Sequence, residues 1–237
     1  MIACYNKSDC ITTEHMIEAI LRSVFNVKIP YGIEEMPEID LSNHNYASEM
    51  IYHEAGHAVI AELIEPKTVA LMSAFTRDLE EGGFIRHINK GRPIDLKMIE
   101  GRVLVSLAGK AAVDVKYGVN SIGTMSDNST AYHTLSKLYQ EECIGDFRLY
   151  QTEFMDDSDT QNHIAHQIVT IKMAEYYQKV KYLLVQNIEF LDRLAQALTT
   201  NCYLTLSDIQ RIKSDLSIQR KVVLYQPNNT ILDVRQR

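Results

Sequence analysis

Tryptophan is absent from this sequence of 237 residues, and glycine occurs ten times, proline five times and cysteine four times. So little glycine and proline, set against many Leu, Ile, Met, Ala and Glu residues, leans the chain toward helix. The cysteines, Cys4, Cys10, Cys143 and Cys202, nowhere form C-x-x-C. Four in so long a chain also make a poor disulfide scaffold, so a reduced, cytoplasmic setting is expected. No run of 18 apolar residues lacks a charge; even Val103 to Ala108 ends at Gly109-Lys110. The first ten residues hold Asn6, Lys7, Ser8 and Asp9 where an export signal needs an apolar core. Neither membrane insertion nor export is expected. Positive charge is scarce as well: 24 Lys and Arg against 31 Asp and Glu leave a net charge of −7. With no cationic excess to neutralise phosphates, nucleic acid and anionic membranes are excluded as expected partners.

What remains is a globular composition. The chain is 46% hydrophobic and 23% charged, enough apolar material for a real core and too much for disorder. Its length suits one large domain or a domain with an appendage.

The hydrophobic periodicity predicts a mainly α fold with a small β element of two or three strands. Helices are expected over Ile11 to Phe25, Ala47 to Ile64 (stopped by Pro66), Asp95 to Tyr117 (closed by Gly118) and Asp127 to about Ile144. A long helix is expected from Gln161 to about Thr199 after a break at Asp156 to Thr160. A short one, with a Ser cap, follows from Ser207 to about Leu216. Val69 to Phe75 and Gly83 to Ile88 read as strands joined by a charged turn, Arg77 to Gly82. Asn26 to Asn45, with Pro30, Gly32 and Pro37, reads as a connecting loop.

The second of these helices carries His53-Glu54-Ala55-Gly56-His57. Histidines four residues apart lie one turn above each other on one helix face, so both imidazoles reach one metal ion. Glu54 lies about 100° round the helix from His53, beside the metal and free to take a proton from its water. The chemistry implied is zinc-assisted hydrolysis of a peptide bond, with Glu54 as general base. A chance H-E-x-x-H arises in about 2% of shuffled chains of this composition, so the surrounding helix matters. Met50, Ala58, Ala61 and Ile64 give it an apolar flank, and Gly56 is expected to leave backbone space beside the metal face.

Such a site needs a third protein ligand and an open fourth position. Ile60 and Leu63 stand where a metzincin extension would place Gly and His. A glutamate about twenty residues on would fall near Arg77, with Asp78, Glu80 and Glu81 close by, and Asp114 and Asp127 are further candidates. Spacing does not choose among them.

Four blocks of sequence settle the comparison class. They are Ile51-Tyr52-His53-Glu54-Ala55-Gly56-His57-Ala58-Val59, Ser106 to Ala112 with Tyr117-Gly118, Gly123-Thr124-Met125-Ser126-Asp127, and Asn187 to Ala195 through Leu206. Taken in order, the chain resembles the peptidase domain of FtsH-type zinc metalloproteases over about residues 11 to 215. The resemblance implies Zn2+ as cofactor, His53, His57 and Asp127 as its ligands, and Glu54 as the catalytic base. It also implies a division into an N-terminal helix and linker at 1–45, similar to the end of an ATPase lid, a peptidase domain at 46–216 and a tail at 217–237. The edge of the Val69–Phe75 and Gly83–Ile88 pair matches the family region suited to hold substrate as an added strand.

The departures are as specific. No G-x-x-x-x-G-K-[ST] occurs in the sequence, so no ATPase activity of its own is expected. Val113 and Asp114 replace the family's usual pair of acids, and Ser126 replaces its Asn. His87, His133, His163 and His166 read as surface or core histidines, and Cys143 and Cys202 as buried small hydrophobes. Tyr176-Tyr177, Tyr182 and Leu183-Leu184 read as a packing stripe. The function expected is a zinc metalloendopeptidase acting on flexible or unfolded polypeptides. Its expected partners are those substrates, with a second copy of the chain or an AAA ATPase as associate. The competing reading is a non-motor partner or regulatory module of an FtsH-type ATP-dependent assembly; a metal-free helical interaction protein is the third.

Overall fold

A computed structural model of the chain describes residues 10–12, 15, 16, 19, 39–74, 83–88, 91, 95–121, 125–140, 158–201 and 203–216. Among these, six helices and a three-stranded antiparallel sheet form the fold, which is mainly α as the periodicity predicts. Of the predicted Ile11–Phe25 helix only Ile11, Thr12, His15, Met16 and Ala19 fall within the described residues. There Thr12 accepts from the His15 backbone through Oγ1, and its carbonyl from the Met16 amide. The turn Arg77 to Gly82, with Asp78, Glu80 and Glu81, lies outside them, as do Cys143 and Cys202 and the side chain of His163.

Helix α1 spans Tyr46–Ile64. Asn45 and Ser48 cap it reciprocally: Asn45 Oδ1 accepts from the Ser48 amide and Ser48 Oγ from the Asn45 amide, each at 2.9 Å. Its apolar side is wider than the predicted flank. Ile51, Tyr52, Ala55, Ala58, Val59, Ile60, Ala61 and Leu63 are all buried, so neighbours cover it on nearly every side. Helix α2, Leu96–Tyr117, is capped by Asp95, whose Oδ1 accepts from Met98 N at 2.7 Å, and closed by left-handed Gly118. Gly56 of α1 faces α2: a β-carbon there would lie 2.5 Å from Ala112 Cβ and 2.6 Å from the Ala108 carbonyl. It lets the two backbones cross closely, and so serves helix packing rather than the metal-face clearance expected from sequence.

Strand β1, Val69–Ser73, is central, with β2, Phe84–His87, on one side and β3, Leu204–Thr205, on the other. Both pairings are antiparallel, and the β1–β2 register shifts between Val69 and Leu71. Helix α3, Met125–Gln140, begins two residues before the predicted start at Asp127. The stretch predicted as one helix to Thr199 is two, α4 over Ser158–Gln186 and α5 over Ile188–Thr200. Asn187 breaks it. Its amide reaches back three residues to Leu184 and its side chain donates to the Leu183 carbonyl, while its own carbonyl starts α5. Periodicity could not register this break because Phe190, Leu191, Leu194 and Leu198 continue the apolar pattern into the same core. The α4 start at Ser158 also overrides the predicted break through Thr160. Helix α6, Leu206–Asp215, is capped by Thr205 and not by Ser207: the Asp208 carboxylate accepts from the Thr205 amide and hydroxyl at 3.0 and 2.6 Å. Along the predicted stripe Leu184 is buried, but Tyr182 is 63% exposed.

Candidate metal centre

Three side chains from two helices converge beside α1. His53 and His57 stand one turn apart, their rings 4.6 Å between centroids and nearly perpendicular. Asp127 reaches them from the first turn of α3, where the positive end of the helix dipole favours a carboxylate. Asp127 Oδ2 lies 3.0 Å from His53 Nε2 and 3.3 Å from His57 Nε2, and the two Nε2 atoms are 3.0 Å apart. One nitrogen from each imidazole and one carboxylate oxygen thus lie within 4.8 Å of one another.

The surroundings decide how these groups are held. A backbone carbonyl can only accept, so the Val105 carbonyl, 2.6 Å from His57 Nδ1, requires the proton on that nitrogen and leaves Nε2 its lone pair in the neutral ring. His53 is held by close packing on Gly109 of α2, where a β-carbon would fall 2.4 to 2.6 Å from three ring atoms. Between α2 and α3, the Lys110 ammonium donates to the Asn120 side chain and to the Ser121 carbonyl, and Ser121 donates in turn to Glu49 of α1. That ties the chain leading toward Asp127 to both helices.

Electrostatics follow from crowding and burial. Burial lowers the His53 pKa. Burial opposes protonation of His57 too, but the Asp127 carboxylate, the Glu54 charge and the Val105 carbonyl outweigh it and raise its pKa. Asp127 loses water, which favours its neutral form, yet the two imidazoles beside it hold it far below the usual carboxylate range. Glu54 is 5% exposed, and burial, with the Asp127 charge, pushes its pKa up to about 7 against the opposing influence of His57. Gly83, just before β2, lies on it: a β-carbon there would fall 2.3 Å from Glu54 Cγ and 2.6 Å from Oε1.

The donor set fits zinc. Two imidazole nitrogens and one carboxylate oxygen are the three protein ligands of a catalytic site, and zinc bonds of ~2.0–2.1 Å set tetrahedral edges of about 3.3 Å. The observed donor separations of 3.0 to 3.3 Å match that edge.

Of the other acidic candidates, Asp114 is engaged elsewhere. Its Oδ2 accepts from Lys181 Nζ at 2.7 Å and Tyr177 Oη at 2.9 Å. Val113, where the resemblance has an acid, is fully buried in the core. His87, His133 and His166 are exposed and outside the cluster, with His166 Nδ1 bonded to Tyr132 Oη. Residue spacing assigns Val105, Gly109 and Gly83 no role at the site. A carbonyl has no sequence signature, and periodicity marks the helix over Asp95 to Tyr117 without saying which of its residues meets the histidines.

No family model matches the chain. Among curated proteins, it is 28% identical over 180 residues to "ATP-dependent zinc metalloprotease FTSH 11, chloroplastic/mitochondrial" of Arabidopsis thaliana, covering 68% of this chain and 20% of that protein. It is 27% identical over 194 residues to "ATP-dependent zinc metalloprotease FtsH 1" of Sorangium cellulosum, covering 75% and 31%. The likeness is to FtsH-type proteases. A third FtsH, from Thermus thermophilus, is 24% identical over 181 residues, covering 71% and 29%. The FtsH-like chain therefore spans between a fifth and a third of the length of these curated relatives. Among the described residues no helix is long and apolar enough to cross a membrane.

Proposed function

We propose that this FtsH-like chain is a zinc metalloendopeptidase that hydrolyses peptide bonds in flexible or unfolded polypeptides. The observation that carries the reading is the convergence of His53 Nε2, His57 Nε2 and Asp127 Oδ2 at 3.0 to 3.3 Å. These three residues would hold the ion, which when bound supplies a Lewis acid that makes its water acidic near neutral pH and polarises the scissile carbonyl. Glu54 takes the proton from the attacking water on its carboxylate; a pKa near 7 suits a base that must also release the proton to the leaving amine. Val105 keeps the His57 ring in the tautomer that presents Nε2. Strand β2 has β1 on one side and no described strand on the other. An extended substrate can add along that edge through backbone hydrogen bonds, and Gly83 brings the start of the strand against Glu54.

On this reading the peptidase unit is 46–216, and the absence of C-x-x-C or a disulfide framework in the sequence suits a cytoplasmic setting. One fact favours a second reading. The relatives are named ATP-dependent, whereas these 237 residues contain no phosphate-binding loop motif. An AAA ATPase module would then deliver substrate, or the chain would serve such an assembly as a partner.

Metal analysis paired with digestion of casein separates these readings. About one zinc per chain is expected, with Glu54→Gln keeping the metal and losing about 10²–10⁴-fold in turnover, and Asp127→Ala losing the metal. Unchanged proteolysis in Glu54→Gln overturns the mechanism. Casein left intact by the zinc-loaded chain, together with co-purification of an AAA protease, selects the partner reading.

A further inference from the structure

The two histidines of α1 are supported by two positions on α2 with the same four-residue spacing in reverse order. Val105 meets His57, and Gly109 meets His53. A β-carbon on Gly109 would lie 2.4 Å from His53 Cε1, 2.5 Å from Nδ1 and 2.6 Å from Nε2. That is about 1 Å inside the ~3.5 Å of an ordinary carbon contact. Nearly equal distances to three consecutive ring atoms mean that the imidazole lays its face on the glycine. Approach along the rim at Cε1 would leave both nitrogens clearly farther away. Meanwhile Nε2 of the same ring points to His57 and Asp127.

Close helix crossing is the common reason for a small residue inside a helix, and Gly56 shows it, with backbone and Cβ atoms of Ala108 and Ala112 as its nearest neighbours. Gly109 differs, because its three nearest atoms all belong to the His53 ring. A glycine also weakens a helix interior relative to alanine. Residue 109 therefore acts against the helix that contains it and in favour of one imidazole.

We propose that Gly109 is a positioning residue for the metal-binding imidazole of His53, and that Gly109 and the Val105 carbonyl form a two-point template on α2 for both rings. The inference rests on His53, His57 and Asp127 being the metal donors. Its consequence is a separation of two properties that usually move together. Without metal, the His53 side chain can rotate away from an added methyl group, so alanine at 109 is tolerated and helix propensity favours it. With metal bound the ring is pinned, and the methyl group must displace a ligand.

The test uses the full chain with Gly109→Ala, His53→Ala and the double variant. Zinc affinity is read by competition with a chromophoric chelator, site geometry by the visible absorption of the cobalt-substituted protein, and folding by melting of the chelator-treated protein. For Gly109→Ala, zinc affinity is expected to fall about 10–100-fold, with altered cobalt bands and a metal-free Tm equal to or above that of the parent. In the His53→Ala background the same substitution is expected to cost no further affinity and to keep its favourable effect on Tm. An affinity and cobalt spectrum unchanged from the parent overturn the assignment of Gly109 while leaving the metal site standing. Lost affinity with a lowered metal-free Tm overturns it as well, since general packing damage then explains the result. A parent chain that binds no zinc overturns the metal site and Gly109 together.

Discussion

Helix α1 contributes to two clusters of ionisable groups little more than one turn apart, one fully buried and one partly exposed, and they are resolved in opposite ways. At its C-terminal end Glu62 is fully buried and surrounded by donors from this chain. Its carboxylate accepts from the Lys67 amide at 2.9 and 3.1 Å, the Thr68 amide at 3.3 Å, Gln210 Nε2 at 2.8 Å and Lys213 Nζ at 3.1 Å. Lys213 Nζ also donates to the Glu62 carbonyl at 2.7 Å. Even strain is accepted here: Lys67 adopts φ 63°, at a cost of about 1–2 kcal/mol for a residue with a β-carbon, and thereby aims its N–H at the carboxylate. At the middle of the helix, His53, His57 and Asp127 instead turn three electron-pair donors toward one another. A buried charge enclosed by its own donors is already satisfied within the chain, whereas converging electron-pair donors would be satisfied by the cation proposed above.

That contrast can be tested from its strong side first. Lys213→Met leaves Glu62 buried without its cation and is expected to destabilise the protein by about 3–5 kcal/mol in denaturant unfolding. Zinc binding per folded chain should not change. A coupled loss of metal affinity would show that the two clusters form one unit. Chelation works on the other cluster: at free zinc 100-fold above Kd, the metal should add about 2.7 kcal/mol of stability that a chelator removes. Asp127→Ala should abolish that increment, and Lys213→Met should retain it. The smallest effect belongs to the helix start, where Asn45 bonds to Ser48 and touches neither cluster. Asn45→Ala is expected to cost about 1 kcal/mol in thermal unfolding and to leave zinc affinity where it was. A larger change in affinity than in stability would mean that the cap positions His53 directly.

How much of this was legible in the sequence depends on how local each feature is. The caps at Asn45 and Asp95 and the Gly118 terminus answer to neighbours within four residues, so α1 and α2 fall close to their predicted bounds. Asn187 broke a predicted helix through equally local bonds, but its signal was hidden because the apolar period continues through it. Glu62 showed no sign of special status. Its partners Gln210 and Lys213 lie about 150 residues away in sequence, on a helix whose short apolar pattern says nothing of what it covers.

The candidate site divides along the same line. A helical period of 3.6 residues places His53 and His57 on one face wherever that helix is put, so their pairing was determined by sequence alone. The choice of Asp127 over Asp114 was not. Both are acids associated with a helix, and sequence resemblance alone preferred one. Packing separates them, since α4 supplies Lys181 and Tyr177 to Asp114 while α3 points Asp127 at the histidines. The supports on α2 belong wholly to tertiary structure. A carbonyl at Val105 and a missing β-carbon at Gly109 acquire meaning only when another helix sets an imidazole against them, because hydrogen bonds and steric contact act over a few ångströms and have no counterpart in residue spacing along one chain.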